Sequence, residues 1–300
     1  MRRHTTTRLG DRGGDAALSA DGSLLILSGE GIFARHLPGG RQQRVAPVRS
    51  GQPSLSADGR VLAFTSSNGG LTVRGEDQVF VRDIRGGGPV QVSRASGTHG
   101  QLADGESEEP AISADGRFVA FVSQAHNLAG GREDGYVSAV YLRNLVTDRT
   151  VRVSPRGMLA STPSISANGD RVVFAALDSV YMFERRSGDV AIVASGGPYT
   201  PDVAPSISAD GRYVAYRAAL PVAGIKRLAI TDVRTRKTAR LAEVGLPEGG
   251  SGPIAFSANG RFIVFDTHTE GLVGPQKDFR ESGGVYLLRN PLLRSRGNPR

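Results

Sequence analysis

The chain has 300 residues, 39% of them hydrophobic, and a formal net charge of +8 at pH 7. It contains no cysteine, which excludes disulfides, thiolate metal sites and a cysteine nucleophile. Its apolar runs are about one strand long, well short of the roughly 18–20 residues that a membrane-spanning helix requires.

The opening stretch "MRRHTTTRLGDRGGD" is basic but has no apolar h-region. It does not read as a secretory signal, so the expected compartment is the cytoplasm. A start further upstream would change that to periplasmic or secreted. From residue 17 the chain repeats itself. "ALSADGSLLIL" (17–27) is followed by "PSLSADGRVLAFTSS" (53–67), "PAISADGRFVAFVS" (110–123) and "PSISANGDRVVFAA" (163–176). "PSISADGRYVAYRA" (205–218) and "IAFSANGRFIVFDT" (254–267) complete the set of six. The anchor glycines are Gly22, Gly59, Gly116, Gly169, Gly211 and Gly260, and spacings of this order suit propeller blades.

In each copy the Ser-Ala-Asp/Asn-Gly core reads as a type I turn ending in a left-handed glycine, the kind that joins two hairpin strands. The residues three, four and five past the glycine are all apolar, as in Val119, Ala120 and Phe121. A strand wetted on one face would alternate, so these strands should be covered on both faces. A third strand follows in every unit ("GIFARHL", "QVFVRDI", "AVYLRNL", "SVYMFER", "RLAITDV", "GVYLLRN"). A fourth closes five of them ("QQRVA", "PVQVS", "TVRVS", "VAIVA", "TARLA"). No segment shows helical periodicity.

The expected fold is therefore all-β: a six-bladed β-propeller of four-stranded antiparallel blades forming one domain. Blade boundaries fall at about 16–47, 52–94, 109–155, 162–195, 204–242 and 252–289, with a basic tail at 290–300. The sixth unit lacks its own fourth strand. Residues 5–9 align with strand D of another unit and are expected to pair into the last blade, closing the ring and removing its open edges.

The pattern Pro-Ser-Ile-Ser-Ala-Asp-Gly-Arg-aromatic-Val-Ala-aromatic, followed by Val-Phe/Tyr-Val/Leu-Arg-Asp/Asn, resembles the WD-like propeller repeat of TolB-type proteins, bacterial multi-repeat chains above all. The resemblance spans roughly residues 4–289 and implies the six-bladed fold and a partner-binding role. TolB-type proteins also carry an N-terminal α/β domain, for which this chain has no room. Relatives carry a loop before strand C that could hold a cation. The best copy here, "NLAGGREDGYVSAVY" (127–141), has Ala139 in place of the acid. The reading is no cofactor, with calcium the one cation the resemblance would suggest.

In such a blade the A–B and C–D turns lie on one face and the B–C and D–A connections on the other. The long connections, 66–77, 94–109, 123–138 and 266–284, all belong to the second face, and binding residues concentrate on loops held by a rigid scaffold. Residues just before strand A should ring the channel mouth there: Gln52, Glu109, Thr162, Ala204 and Gly252. The candidate binding set is Gln52, His99, Asp104, Glu108, Glu109, His126, Glu133, Asp134, Tyr136, Thr162, Tyr199, Asp202, His268 and Arg280.

Catalytic signatures are missing. There is no His-Glu-Xaa-Xaa-His and no Gly-Xaa-Ser-Xaa-Gly, and no pair of the five histidines has ligand spacing on one element. His99, His126 and His268 would have to meet across blades 2, 3 and 6 to hold a metal, and blades 3 and 6 are not neighbours. Of the basic residues only Lys226, Lys237 and Lys277 are lysine. Arg60, Arg117, Arg171, Arg212 and Arg261 are spread around the tight-turn face beside acids, which reads as a solvated surface rather than a nucleic-acid stripe. The expectation is a monomeric, non-catalytic scaffold for a protein or peptide partner, with no nucleic acid and no membrane span. The alternative is a carbohydrate- or peptide-active hydrolase or lyase with a polar, cation-assisted site at the channel mouth.

Overall fold

The computed structural model describes residues 14–68, 70–72, 75–129, 137–195, 204–219, 225–245, 254–267 and 284–293. Its described elements are all β-strands, β1 to β23, arranged as the six blades of a propeller. Blade 1 holds β1 (Ala16–Leu18), β2 (Leu24–Gly29), β3 (Gly31–His36) and β4 (Gln42–Ala46). Blade 2 holds β5 (Ser50–Leu55), β6 (Val61–Ser66), β7 (Gln78–Asp83) and β8 (Val90–Gln91). Blade 3 holds β9 (Ser107–Ile112), β10 (Phe118–Ser123), β11 (Ala139–Asn144) and β12 (Arg149–Arg152). Blade 4 holds β13 (Ala160–Ile165), β14 (Arg171–Ala176), β15 (Ser179–Glu184) and β16 (Val190–Ser195). Blade 5 holds β17 (Ser206–Ile207), β18 (Tyr213–Ala219), β19 (Ile225–Asp232) and β20 (Lys237–Gly245). Blade 6 holds β21 (Ala255–Phe256), β22 (Phe262–Thr267) and β23 (Gly284–Arg289).

Five sheets are four-stranded antiparallel meanders, and the sixth has three strands among the described residues. Residues 5–9, expected to supply its fourth strand, lie outside the described residues. Strands A of blades 2 to 4 begin at Ser50, Ser107 and Ala160, two residues before the expected boundaries, because each continues through a β-bulge.

The apolar B strands of blades 2 to 5 are buried on both faces, as their unbroken hydrophobicity requires, and every residue of β10 is buried; in blade 6 Phe262 and Val264 of β22 are exposed on one face. Within a blade the B and C strands stack their aromatics in register. Phe64 pairs with Phe80, Phe121 with Tyr141 and Phe174 with Tyr181, at centroid separations of 5.8, 5.9 and 5.6 Å. The core is a series of clusters, each filling the seam between consecutive blades from blade 1 to blade 6. At about 1.5–3 kcal/mol per fully buried large apolar side chain, these seams are the main source of stability.

The repeated Ser-Ala-Asp-Gly turn does more than reverse the chain. The Ser113 hydroxyl donates to Asp115 Oδ1 at 2.5 Å and accepts the Phe118 N–H at 3.0 Å. Asp115 Oδ1 also accepts the Arg117 N–H at 3.0 Å. The alanine between them reaches sideways. Ala20 N–H donates to Ala57 C=O, Ala57 to Ala114 and Ala167 to Ala209, each at 2.9 Å, while Asp115 N–H donates to Ala167 C=O at 3.2 Å. The turn glycine then sits against the preceding blade. Gly169 has φ +69°, and a Cβ there would fall 2.3 Å from Phe118. The glycine is thus required by both its left-handed backbone and close approach.

Blade 4 reverses the charge order of a pair found in blades 2 and 5. Arg60 pairs with Asp83 at 2.8 Å and Arg212 with Asp232 at 2.7 Å, each joining the residue after the turn glycine to the end of strand C. In blade 4 the acid comes first: Asp170 pairs with Arg185, and Arg186 joins it at 3.0 Å. Arg185 also lies 4.5 Å over the Phe118 ring of blade 3.

Candidate functional site

The channel mouth is built from the bulged A strands. Gln52, Glu109 and Thr162 occupy the same place in blades 2, 3 and 4, and all three have left-handed backbone, with φ of 49, 54 and 49°. A non-glycine residue in that conformation is uncommon and costs backbone energy. The bulge turns each side chain toward the next blade. Gln52 Oε1 accepts the Glu109 N–H at 2.9 Å, and Glu109 Oε2 accepts the Thr162 N–H at 2.6 Å. Upstream, Asp15 Oδ2 accepts the Gln52 N–H at 3.3 Å. Thr65 holds Gln52 Oε1 in place with a 2.6 Å hydroxyl bond. Asp15, Gln52, Glu109 and Thr162 therefore form a collar in which the side chains of Asp15, Gln52 and Glu109 each cap the strained N–H of the next member.

Acid gathers at this collar. Burial pushes the Glu109 carboxyl above its ordinary value, against the pull of the Thr162 N–H. Glu108 is raised by burial and then by the negative charges of Glu109, Glu106 and Asp77. Among the described residues no basic side chain pairs with Glu108 or Glu109. Beside them the D–A connection of blade 2 is clipped to the B–C loop of blade 3. Asp104 Oδ1 accepts the His126 N–H at 2.7 Å, and Asn127 Nδ2 donates to Leu102 C=O at 2.7 Å.

The structure thus brings together Gln52, Glu108, Glu109 and Thr162, with Asp104 and His126 clasped beside them. It sets His99 apart. Residues 94–102 form a narrow loop, bridged between Arg94 and Leu102, that lies along the outer edge of β12. Gly97 N–H donates to Asp148 C=O at 2.7 Å and Thr98 Oγ1 to Asp148 Oδ2 at 3.0 Å. These bonds draw the tip that carries His99 to the C–D turn of blade 3, away from the channel mouth. Glu133, Asp134, Tyr136, Tyr199, Asp202, His268 and Arg280 lie outside the described residues. Asp15 was not among the candidates. It stands seven residues before Gly22, the offset that separates Gln52 from Gly59, and that offset is the signal that finds it.

A second concavity lies on the tight-turn face, at the seam of blades 4 and 5. It encloses about 300 Å³ between Asn168, Asp170, Arg171, Glu184, Arg186 and Asp210. Its charges largely answer one another: Arg171 pairs with Glu184 at 2.6 Å and Arg186 with Asp170. Among the described residues no three His, Asp or Glu side chains are placed to hold a metal ion. None of the described residues forms a helix long and apolar enough to cross a membrane.

No protein-family model matches the chain, and no curated protein matches it. Solved structures do. TolB from Acinetobacter baumannii superposes with a TM-score of 0.54 at 18% identity, over 85% of this chain and 57% of that one. A protein described as a TolB of Agrobacterium tumefaciens gives 0.56 at 14% identity, over 93% and 90% of the two chains. An oligogalacturonate lyase solved in complex with manganese gives 0.62 at 13% identity, over 92% and 76%. This chain thus spans little more than half the length of the Acinetobacter TolB. Likeness at these identities shows the fold, and the chain is a six-bladed β-propeller of TolB-like build.

Proposed function

We propose that the protein is a non-catalytic scaffold that binds a protein or peptide at the collar of its loop-bearing face. The observation that carries this reading is the polarity of the collar. Its backbone donors are consumed by Asp15, Gln52 and Glu109, so among the described residues the mouth offers acceptors and negative charge without a basic counterpart. Such a surface suits a partner segment carrying lysine or arginine. The test is capture of a partner from lysate by wild type and by the Glu106→Gln/Glu108→Gln double variant. Loss of a specific band in the variant supports the reading, and an unchanged band sinks the site assignment.

A second reading is favoured by the likeness to a lyase that binds manganese. In it the mouth would hold a cation and act on a carbohydrate or peptide. Metal analysis of the purified protein separates the two. A stoichiometric metal that is lost in His126→Ala or His268→Ala supports the enzyme reading.

A further inference from the structure

The outer strand of a propeller blade presents a row of unpaired N–H and C=O groups, and stable proteins blunt such edges with charge, brevity or a cover. This chain uses each device. β8 is two residues long. β12 carries Arg149 and Arg152, and its Thr150 N–H and C=O are both taken by Ser96 Oγ at 3.0 Å. β4 carries Arg44, and its Val45 C=O is capped by Arg82 at 2.7 Å. β20 carries Lys237 and Arg240. β16 alone among the described outer strands has none of these. It reads Val190-Ala-Ile-Val-Ala-Ser195, without charge, proline or glycine, and Ile192 is 57% exposed. β16 pairs with β15 on one side, and among the described residues no hydrogen bond reaches its other edge.

We infer that β16 is a self-association edge, and that its occupant is β16 of a second copy, antiparallel about a two-fold axis at Ile192. The strand is complementary to itself in that register. Val190 faces Ala194 of the second copy and Ala191 faces Val193, so large side chains meet small ones on either side of a central Ile192–Ile192 contact. Asp189 comes opposite Ser195, so no like charges meet, although the chain as a whole carries +8. An isologous contact of this kind closes at two copies and does not propagate. The bulge at Val193, where the ladder to β15 skips a residue, keeps the new ladder short. The dimer is therefore weak, with a dissociation constant in roughly the micromolar range or above, as befits a small interface.

The test is sedimentation velocity over a concentration series with full-length protein. A concentration-dependent dimer is expected, and Ile192→Lys should weaken it by about tenfold or more, since lysine is the usual edge blocker. Leu159→Lys, at an exposed apolar site on blade 4 outside the strand, should leave it unchanged. Because the chain has no cysteine, Ile192→Cys gives an unambiguous trap: mild oxidation should yield a covalent dimer, and Leu159→Cys should not. A dimer held by apolar contact also persists at high salt. A monomer at every concentration, or a dimer indifferent to Ile192→Lys, overturns the inference. So does a β16 edge that captures only an unrelated peptide.

Discussion

The carboxylate of Glu109 in blade 3 accepts the backbone N–H of Thr162 in blade 4 at 2.6 Å. This one bond ties two blades together at the channel and fixes the side chain that makes the mouth acidic. Glu109→Ala would leave a partly buried N–H without its acceptor, at a cost of about 1–3 kcal/mol. Glu109→Gln keeps an acceptor and should cost far less. Urea melts of both variants check this, and equal losses would show that the bond does not matter.

The pH dependence follows from opposite shifts on the two faces. Glu108 and Glu109 have folded pKa values above the ordinary 4.5, so the folded state holds their protons more tightly. Their penalty is absent below about pH 4.5 and grows as pH rises through the folded values. Asp232 is held down to about 2, first by its hydrogen bond from Arg212. Its contribution is complete above pH 3.8 and is lost only as pH falls toward 2. Glu108→Gln should therefore raise stability at pH 7 and change nothing at pH 4. Asp232→Asn should lower stability at pH 7. Denaturant melts at pH 4, 5, 6 and 7 decide both.

Gly169→Ala should be severe. The left-handed backbone costs about 1 kcal/mol with a side chain present. Forcing Phe118 aside adds about 1–3 kcal/mol of overpacking. Gly22→Ala has the same backbone term but meets nothing within 4 Å, so it should cost only the first part. Comparing the two melts isolates the packing between blades.

The inverted pair in blade 4 invites a swap. Asp170→Arg alone places three arginines together and should destabilise by about 1–2 kcal/mol. Adding Arg185→Asp restores an opposite-charge pair with its order reversed and should recover part of the loss, with a coupling of about 0.5–1 kcal/mol for partly exposed groups. A double-mutant cycle measures that coupling, and zero would mean that the inversion is neutral.

β23 has an open outer edge among the described residues, and the expectation from the alignment of residues 5–9 with strand D of another unit is that they pair with it. Deleting residues 1–9 should lower the melting temperature by several degrees, at roughly 2–4 °C per kcal/mol for a chain of this size. It should also promote aggregation through the bared strand. An unchanged melt would remove these residues from the ring.

The propeller was legible because its grammar is local. The Ser-Ala-Asp/Asn-Gly turn and the doubly apolar B strand recur in all six units, and an aromatic of strand C follows in five of them, within about thirty residues of the turn. The tangential role of Ala57, Gly169 and Asp170 was not legible, since it depends on which turn lies beside which. The site was half legible. Gln52, Glu109 and Thr162 were identified from their place before strand A, but their strained backbone and serial bonding come from a bulge that no single repeat announces. His99 was misplaced because a long connection says nothing of where it docks, and here the two acceptors of Asp148 decide.

The line of turns from Ala20 to Ala209 has a direction: Ala20, Ala57 and Ala167, and Asp115 in place of Ala114, each donate an N–H to the blade ahead, and Ala57, Ala114, Ala167 and Ala209 each accept one from the blade behind. Among the described residues the four junctions from blade 1 to blade 5 are made by backbone groups of the same turn, so a duplicated unit spliced between two of them would find its contacts already waiting. Growth of such a molecule is limited by curvature alone, and its ancestry can lengthen or shorten by whole sectors without inventing new chemistry.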